Sequence, residues 1–170
     1  LWDHLMACGA PHGMEFSSMR ALTIRRIEGG ILGNGTDLTP DMTPFEAGLA
    51  PFVNMEKGNF IGRNTLLNKD KRRCLFGLTC ATETPAGGSL IFDGKTEVGR
   101  VTAGVPSPTL GFGIGYVRFS EPGNWVGRTL AMHLTDGSEH EVEIVQPPFF
   151  DSDKNIVRGV DRSIPERPEI

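Results

Sequence analysis

From residue 74 onward the sequence alternates between short apolar runs and turn residues, and this pattern constrains the fold more than any other feature. The runs are separated by Gly, Pro, Asp or Asn at spacings of roughly 8 to 15 residues; they are CLFGLTCA, SLIFDG, EVGRVTAG, FGIGYVRF, TLAMHL and EVEIV. Short strands separated by turns in this way are typical of an antiparallel barrel or sandwich. Residues 74–150 are therefore predicted to form an all-β domain.

The composition agrees with a β-rich fold, because 22 Gly and 12 Pro among 170 residues favour turns over long helices. The formal net charge of −4 gives no general attraction to phosphate backbones or anionic membranes, which attract clusters of Lys and Arg. No run approaches the roughly 18 apolar residues that a membrane span needs. We therefore expect neither a nucleic-acid partner nor association with a membrane.

The cysteines give no sign of a disulfide framework or a zinc knuckle. Cys8, Cys74 and Cys80 are odd in number and lack C-x-x-C spacing. No basic segment followed by an apolar core, as in a secretory signal, is present. Reduced thiols without such a signal predict a cytoplasmic protein.

The residues before the all-β region, 1–73, are predicted to mix helices with irregular structure. Helices are expected at residues 1–8, from an N-cap at Ser17 or Ser18 to about residue 28, and at about residues 62–68. The string ILGNGTDLTPDMTP between the second and third helices consists almost entirely of turn residues, so we expect an ordered loop there.

The stretch FEAGLAPFVNMEKGNFIGRNTLL, residues 45–67, joins these two parts. We expect its apolar start to pack as core and its end to dock the short helix; the side chains concerned are Phe45, Leu49, Phe52, Val53, Ile61, Leu66 and Leu67. The polar residues 151–170 are expected to wrap as an extended tail. The predicted fold class is therefore α+β.

The first residue, Leu1, lies inside the apolar-periodic string LWDHLMACGA, with no N-cap residue before it. A helix without a start signal leads us to expect that these residues are the C-terminal part of a longer polypeptide. The alternative is the removal of a short leader.

A metal site between His133 and His140 is tested by the register of the predicted hairpin. A three-residue loop at residues 136–138 would pair Met132 with Val142 and Leu130 with Ile144, which puts apolar residues on one face. That register sends the two imidazoles to opposite faces, so no metal ligands are predicted.

Other motifs of catalysis are incomplete or better explained by backbone structure. GFGIGY, at residues 111–116, leads into a predicted strand rather than a helix, and GNGTD, at residues 33–37, lacks the Lys-Ser/Thr ending of a phosphate-binding loop. No Ser-His-Asp, Cys-His or paired-carboxylate arrangement has a specific spacing. We therefore predict no catalytic residue within the chain.

The string MRALTIRRIEGG places several arginines near a glutamate on the second predicted helix. Arginine presents a planar fork that can bind a carboxylate through two N–H groups. A binding role for Arg20 and Arg26 is one hypothesis. The alternative is an arginine that pairs with Asp37 or Glu46 and fixes the loop.

Taken as one block, residues 25–67 resemble the glycine cleavage T-protein family of folate-dependent aminomethyltransferases and demethylases. That family has an R-L-E-x-G step, a Gly and Asp turn, T-P-x-E-A-G-L and K-G-x-F-I-G-R-x-x-L, which correspond here to residues 26–30, 33–37, 43–49 and 57–66. VGRVTAGVPSPTLGFGIGYV and PPFF continue the resemblance, which extends over about residues 18–150.

The resemblance implies a folate-binding fold of three parts around a central hole, in which tetrahydrofolate accepts a one-carbon unit from an aminomethyl or methyl donor. Residues 1–73 would be the C-terminal portion of the folate-binding region with its connecting segment, and residues 74–150 the C-terminal antiparallel β-barrel. The missing N-terminal folate-binding region would then be a partner, and the family's catalytic aspartate would precede Leu1. A lipoyl-carrier protein or a small methylated amine or sulfonium compound would supply the one-carbon unit.

Some positions are closer to the dimethylglycine and sarcosine dehydrogenase branch of the family than to T-proteins proper. T-proteins carry an arginine where Leu22 stands and another where Ala86 follows Pro85, whereas Arg20 and Arg26 match the two arginines of the dehydrogenase branch. We therefore expect Arg20 and Arg26 to anchor folate, with Glu28 and Asp37 as the partners behind them. A fragment of this kind is expected to be inactive alone, and the alternative is a non-catalytic docking module of a larger folate-linked dehydrogenase or complex.

Overall fold

The computed structural model describes residues 1–163, and its centre is a closed antiparallel β-barrel. Each of the six apolar runs forms one strand; the strands are β1 Leu75–Cys80, β2 Leu90–Asp93, β3 Thr96–Ser107, β4 Phe112–Phe119, β5 Thr129–His133 and β6 Glu139–Val145. Around the barrel they follow the order β1, β4, β3, β2, β5, β6. The predicted antiparallel β structure is confirmed, and it is a barrel rather than a sandwich.

The interior of the barrel is filled by apolar side chains from all six strands, because alternate residues of each strand face inward. The Phe76 and Phe119 rings pack edge to face there, with centroids 5.8 Å apart. The other buried members of this cluster are Leu78, Cys80, Ile91, Val101, Val117, Leu130, Met132, Val142 and Ile144. β3 carries two bulges, at Val98 and Thr102, which interrupt its alternation.

Three helices accompany the barrel, and they are α1 Trp2–Gly9, α2 Met19–Glu28 and α3 Arg63–Leu67, with short 3-10 turns at Ala10–His12 and Ala50–Phe52. The predicted N-cap of α2 is confirmed at Ser18, whose Oγ accepts a hydrogen bond from Ala21 N at 3.2 Å. Within residues 1–163, no helix has the length and apolar character needed to cross a bilayer.

A second apolar cluster fixes the end of α2 to the outside of the barrel. Ile27 is fully buried against the outer faces of β1, β3 and β4. Its buried neighbours are Leu75, Val105, Ile114 and Tyr116. The C-terminal half of α2 is therefore part of the same folded unit as the barrel, whereas residues 11–20 are exposed.

The predicted register of the hairpin between β5 and β6 is wrong. Leu130 pairs with Val142, rather than with Ile144, and Met132 pairs with His140. The change moves every pair by two residues, so the same side chains still face the barrel interior. Apolar alternation specifies the face of each residue but does not distinguish registers that differ in this way.

The turn itself selects the observed register. Leu134 N donates to Ser138 O at 3.0 Å, and Gly137 has a φ of 87°, which closes a three-residue loop at 135–137. His133 and His140 lie on opposite faces of the hairpin, as the predicted register also required.

Packing in the joining stretch is only partly as expected. Phe45 is buried, but Phe52 is 83% exposed, so its predicted core position is wrong. Ile61 is fully exposed, so the prediction that it docks the short helix is also wrong. Gly58 and Gly62 both have left-handed φ values and turn the chain across the surface, which leaves these side chains outside. Leu67, at the end of α3, is also exposed.

The tail differs from the extended arm that the sequence predicted. In its described part, residues 151–163, consecutive turns replace extended backbone. The Asp151 carboxylate accepts hydrogen bonds from Asn155 N at 2.7 Å and Ile156 N at 3.0 Å, and these local bonds stabilise the turns. Residues 164–170, to which the prediction also applied, lie outside the described residues.

Candidate functional site

Asp37 is a buried carboxylate with three hydrogen-bond donors around it. Arg26 Nη1 lies 2.9 Å from Asp37 Oδ2, and Gly33 N donates to the same oxygen at 2.7 Å. Thr102 Oγ1 donates to Oδ1 at 2.5 Å. A buried charge needs such compensation, because without it the carboxylate would lose its hydration and gain nothing in return.

The backbone of residues 33–37 turns the Asp37 carboxylate toward the barrel. Asp37 N and Leu38 N both donate to Gly33 O at 3.0 Å, and Gly35 has a φ of 86°, which favours glycine. A Cβ atom at Gly33 would lie 2.5 Å from Thr36 Oγ1, so a larger residue there would require the Thr36 side chain to move. The prediction of a tight turn at GNGTD is confirmed.

Arg26 fixes this loop to helix α2. Its Nη1 donates both to Asp37 and to Ile31 O, the latter at 3.2 Å, and its side chain is 22% exposed. The pairing with Asp37 is the one that the loop-fixing alternative predicted. Only Nη1 is used in these two bonds, so the remaining N–H groups of Arg26 keep the capacity to bind another acceptor.

Glu28 forms a second buried connection, between the end of α2 and the barrel. Ser107 Oγ donates to Glu28 Oε1 at 2.6 Å, and Arg25 Nη1 lies 3.1 Å from Oε2. The backbone oxygen of Glu28 accepts hydrogen bonds from Phe149 N and Phe150 N, both at 3.0 Å. One residue thus fastens the helix both to β3 and to the segment that follows β6.

Tyr116, on the outer face of β4, adds a further contact between the barrel and the C-terminal end of helix α2. Its hydroxyl donates to Ile27 O at 3.3 Å and lies 3.4 Å from Ile31 O. Burial raises the pKa of Tyr116 above its usual range, and the charge of Asp37 adds to this effect, so the phenol stays protonated and remains a donor.

Arg20 lies apart from these residues, in the first turn of α2. It is exposed, and within residues 1–163 its guanidinium has no hydrogen-bond or ion-pair partner. A separation of six residues along a helix corresponds to a rise of about 9 Å. The structure thus brings Arg26, Glu28 and Asp37 together at the C-terminal end of α2, and it leaves Arg20 free at the other end.

The sequence did not single out three of the side chains that complete these contacts, namely Thr102, Ser107 and Tyr116. All three lie in VGRVTAGVPSPTLGFGIGYV, the motif that carries the resemblance in the β part, and Tyr116 is the single Tyr of the chain. The bulge at Thr102, which places Ser107 on the outer face toward Glu28, has no signal in the apolar alternation. In the described part of the chain, no group of three His, Cys, Asp or Glu residues could hold a metal ion.

The contacts of Arg26, Glu28 and Asp37 connect helix α2, the loop and the barrel, and their evident role is to stabilise the fold. Glu28 accepts hydrogen bonds from two internal donors and Asp37 from three, and neither carboxylate is exposed to solvent. A group that exchanges protons with a substrate must lie within hydrogen-bond reach of it. The exposed Arg20 and the unused N–H groups of Arg26 are the parts of this arrangement that could bind an anionic ligand.

Comparison with known proteins agrees with this architecture. Residues 73–151 match the family described as the glycine cleavage T-protein C-terminal barrel domain, and residues 1–57 match the GCVT N-terminal domain. A crystal structure of glycine cleavage system aminomethyltransferase T from Bartonella henselae superimposes with a TM-score of 0.70 at 28% identity, over 81% of this chain and 40% of that one.

Similar sequences include several aminomethyltransferases. A probable aminomethyltransferase of Halobacterium salinarum is 37% identical over 89% of this chain and 41% of its own length, and the aminomethyltransferase of Saccharopolyspora erythraea is 33% identical over 88% and 42%. A trimethylamine-oxide aldolase of Ruegeria pomeroyi is 29% identical over 93% of this chain and 21% of its own.

The chain spans about two fifths of the length of these aminomethyltransferases, and about one fifth of the aldolase. The two family matches together cover most of the 170 residues; the first describes the barrel, and helix α2 lies within the second. On the sequence, the fold and these relatives together, the chain belongs to the glycine cleavage T-protein family.

Proposed function

We propose that this chain is the C-terminal part of a tetrahydrofolate-dependent one-carbon transferase, in which the donor group is an aminomethyl or a methyl group. The observation that carries the proposal is the family membership together with an arginine, Arg20, whose guanidinium is exposed and has no partner within residues 1–163. Tetrahydrofolate, when bound, supplies the nitrogen that accepts the one-carbon unit, and its tail ends in carboxylates.

Within this chain the proposed contribution is anchoring. Arg20 would bind a carboxylate of the folate tail through its planar fork, and Arg26 would add a donor from the other end of α2. Asp37 orients Arg26 by holding its Nη1, and Glu28 keeps the helix against the barrel through Ser107. Such anchors fix the reacting nitrogen relative to the donor, and correct positioning contributes a large share of catalysis in bimolecular transfers.

The remaining parts of the proposal follow the family resemblance. The catalytic acid or base would come from a folate-binding region outside these residues, and the donor would be a lipoyl-carrier protein or a small methylated amine or sulfonium compound. A cytoplasmic location is proposed from the three free cysteines, which lack the spacing of a disulfide framework.

Replacement of Arg20 tests this role in the protein at its full natural length. Arg20→Ala is expected to weaken tetrahydrofolate binding at least several-fold, because a charge-assisted hydrogen bond contributes about 1.5–3 kcal/mol. Isothermal titration calorimetry measures the effect. Arg158→Ala is the matched control, because Arg158 is also exposed and its side chain has no partner in the described part of the chain. Equal binding by the Arg20 variant and the wild type would rule out the role.

A second candidate function is a non-catalytic docking module of a larger folate-linked dehydrogenase or complex. Two observations favour it: Glu28 and Asp37 are used internally, and a similar sequence forms only one fifth of the length of the aldolase from Ruegeria pomeroyi. The Arg20 titration separates the two candidates, since a docking module without a folate role predicts no change in tetrahydrofolate binding.

A further inference from the structure

A groove of about 670 Å³ runs along the outer face of the barrel, beside the loop that contains Asp37. The loop residues Gly35 and Thr36 form one side of it. The charged side chains that line it are Glu46, Glu97, Arg100 and Arg118. Neither Arg20 nor Glu28 lines this groove, so what it binds is independent of the folate role proposed above.

Arg100 and Arg118 are neighbours in the groove, because they are directly opposite each other in the register of β3 and β4. Like charges at such a position repel each other, since directly opposite Cβ atoms are only about 4.5–5.5 Å apart. Within residues 1–163, Arg100 has no hydrogen-bond or ion-pair partner and is exposed. An acceptor placed between the two guanidinium groups would remove this repulsion.

Arg118 is already held in place on the loop side. Its Nη1 donates to Thr39 Oγ1 at 3.1 Å and its Nη2 to Asp41 Oδ2 at 2.7 Å. The hydrogen bond from Arg118 lowers the pKa of Asp41 to about 2, and the ionised carboxylate offsets part of the charge of Arg118. The Nε–H group of Arg118 is not used in these bonds and remains available to a ligand.

Glu97 faces the same groove because of the bulge at Val98. Glu97 pairs with Phe92 of β2 and Gly99 pairs with Ile91, so the extra residue restores Glu97 to the outer face on which Arg100 lies. The two charged residues are therefore separated by about two strand positions, or roughly 6–7 Å. Glu97 is exposed and has no ion-pair or hydrogen-bond partner among the described residues.

The charges of the groove select the class of ligand. Asp41 offsets part of the charge of Arg118, and Arg100, Glu97 and Glu46 have no ion-pair partner among the described residues; one oxygen of Glu46 accepts Thr43 N at 2.7 Å. An anion would meet two carboxylates, and a cation would meet Arg100 and the remaining charge of Arg118. A ligand that carries both signs would satisfy Arg100 and Glu97 together.

We propose that this groove binds a small zwitterion, with its carboxylate between Arg100 and Arg118 and its ammonium group at Glu97. The separation of Glu97 and Arg100 favours a ligand whose two charges are several bonds apart, rather than adjacent. The carboxylate contact and the ammonium contact are both exposed to solvent, so each alone contributes little to affinity. A ligand that makes both contacts at once should bind more tightly than a ligand that makes only one.

Titration of the protein with 4-aminobutyrate, followed by amide chemical shifts in NMR, tests the proposal. Butyrate and butylamine serve as the two half-ligands, since each carries one of the charges on the same carbon chain. We expect 4-aminobutyrate to shift the amides of residues 97–100 and 35–36, and to bind at least about fivefold more tightly than either half-ligand.

Two variants locate the site. Arg100→Gln and Glu97→Gln are each expected to weaken 4-aminobutyrate binding by at least about fivefold, whereas Arg158→Gln removes an unpartnered charge elsewhere and leaves binding unchanged. Arg100 and Glu97 are exposed, so the variants should retain the wild-type amide spectrum away from the groove. Binding of a half-ligand as tight as that of 4-aminobutyrate, or unchanged binding in both variants, would overturn the proposal.

Discussion

Asp37 and Asp41 form two ion pairs in the loop after helix α2, one buried and one exposed to solvent. Asp37 and Asp41 lie four residues apart and each pairs with an arginine. Asp37 is buried, whereas the Asp41 side chain is 67% exposed. Because solvent screens exposed pairs and desolvation makes buried charges depend on their partners, the two aspartates should differ sharply in their effect on stability.

Asp37→Ala is expected to lower the free energy of unfolding by about 3–5 kcal/mol, because Arg26 would keep a partly buried charge without its carboxylate. Urea denaturation followed by circular dichroism measures the change. Asp41→Ala is the control, and its effect should be small because its side chain faces solvent. Similar losses in the two variants would contradict the assignment of Asp37 as the buried fastening of the loop.

At the scale of secondary-structure elements, helix α2 has two ends with different tasks. Its C-terminal end is buried against the barrel through Ile27, Glu28 and the hydroxyl of Tyr116. Its N-terminal turn is exposed, carries Arg20, and depends on the Ser18 cap for its order. A loss of the cap should therefore affect Arg20 before it affects the barrel.

Ser18→Ala is expected to fray the first turn of α2 and to cost about 0.5–2 kcal/mol of helix stability. Hydrogen exchange at the amides of residues 21–23 should become faster, while exchange in the β1 and β4 strands should stay the same. Ser17→Ala is the matched control, since Ser18 and not Ser17 makes the capping bond. Equal exchange rates in the two variants would show that the cap does not hold this turn.

The elements were largely predictable from the sequence, and the failures have physical causes. Six apolar runs specified six strands, and turn residues specified their ends. The register of β5 and β6 was missed because alternation fixes only which face a residue occupies, while the turn around Gly137 selects the pairing. The exposure of Phe52 and Ile61 was missed because an apolar side chain is buried only where another surface covers it.

The sequence named the charged residues of the candidate site but not the hydroxyl groups that complete their contacts. It left the partner of the loop-fixing arginine open between Asp37 and Glu46, and the structure shows the pair of Arg26 with Asp37. Ser107 faces Glu28 on the outside of the barrel because the bulge at Thr102 reverses the alternation of β3 after Val101, and a bulge leaves no mark on the apolar pattern.

On the scale of the whole molecule, the described residues contain a well-packed barrel and an apolar surface that nothing in residues 1–163 covers. Its large exposed side chains lie within residues 1–22; they are Leu1, Trp2, Leu5, Phe16, Met19 and Leu22. The Trp2 and Phe16 rings are in contact, with centroids 5.4 Å apart, and exposed apolar side chains grouped in this way are typical of an interaction site. An interaction here agrees with the proposal that a folate-binding region outside these residues completes the site.

The proposal assigns only part of the folate site to these residues, because Arg20 and Arg26 offer anchoring but no group for proton transfer. Anchors at one edge of a ligand contribute little binding without the pocket that orders the rest of it. The isolated 170 residues and the longer protein should therefore differ in tetrahydrofolate affinity far more than in the stability of the barrel.

Isothermal titration of tetrahydrofolate into the 170-residue chain, alongside the protein at its full natural length, tests this division most directly. The account predicts measurable binding by the full-length protein and none by the 170 residues alone. Micromolar binding by the 170 residues alone would contradict it, because the complete folate pocket would then lie within this chain.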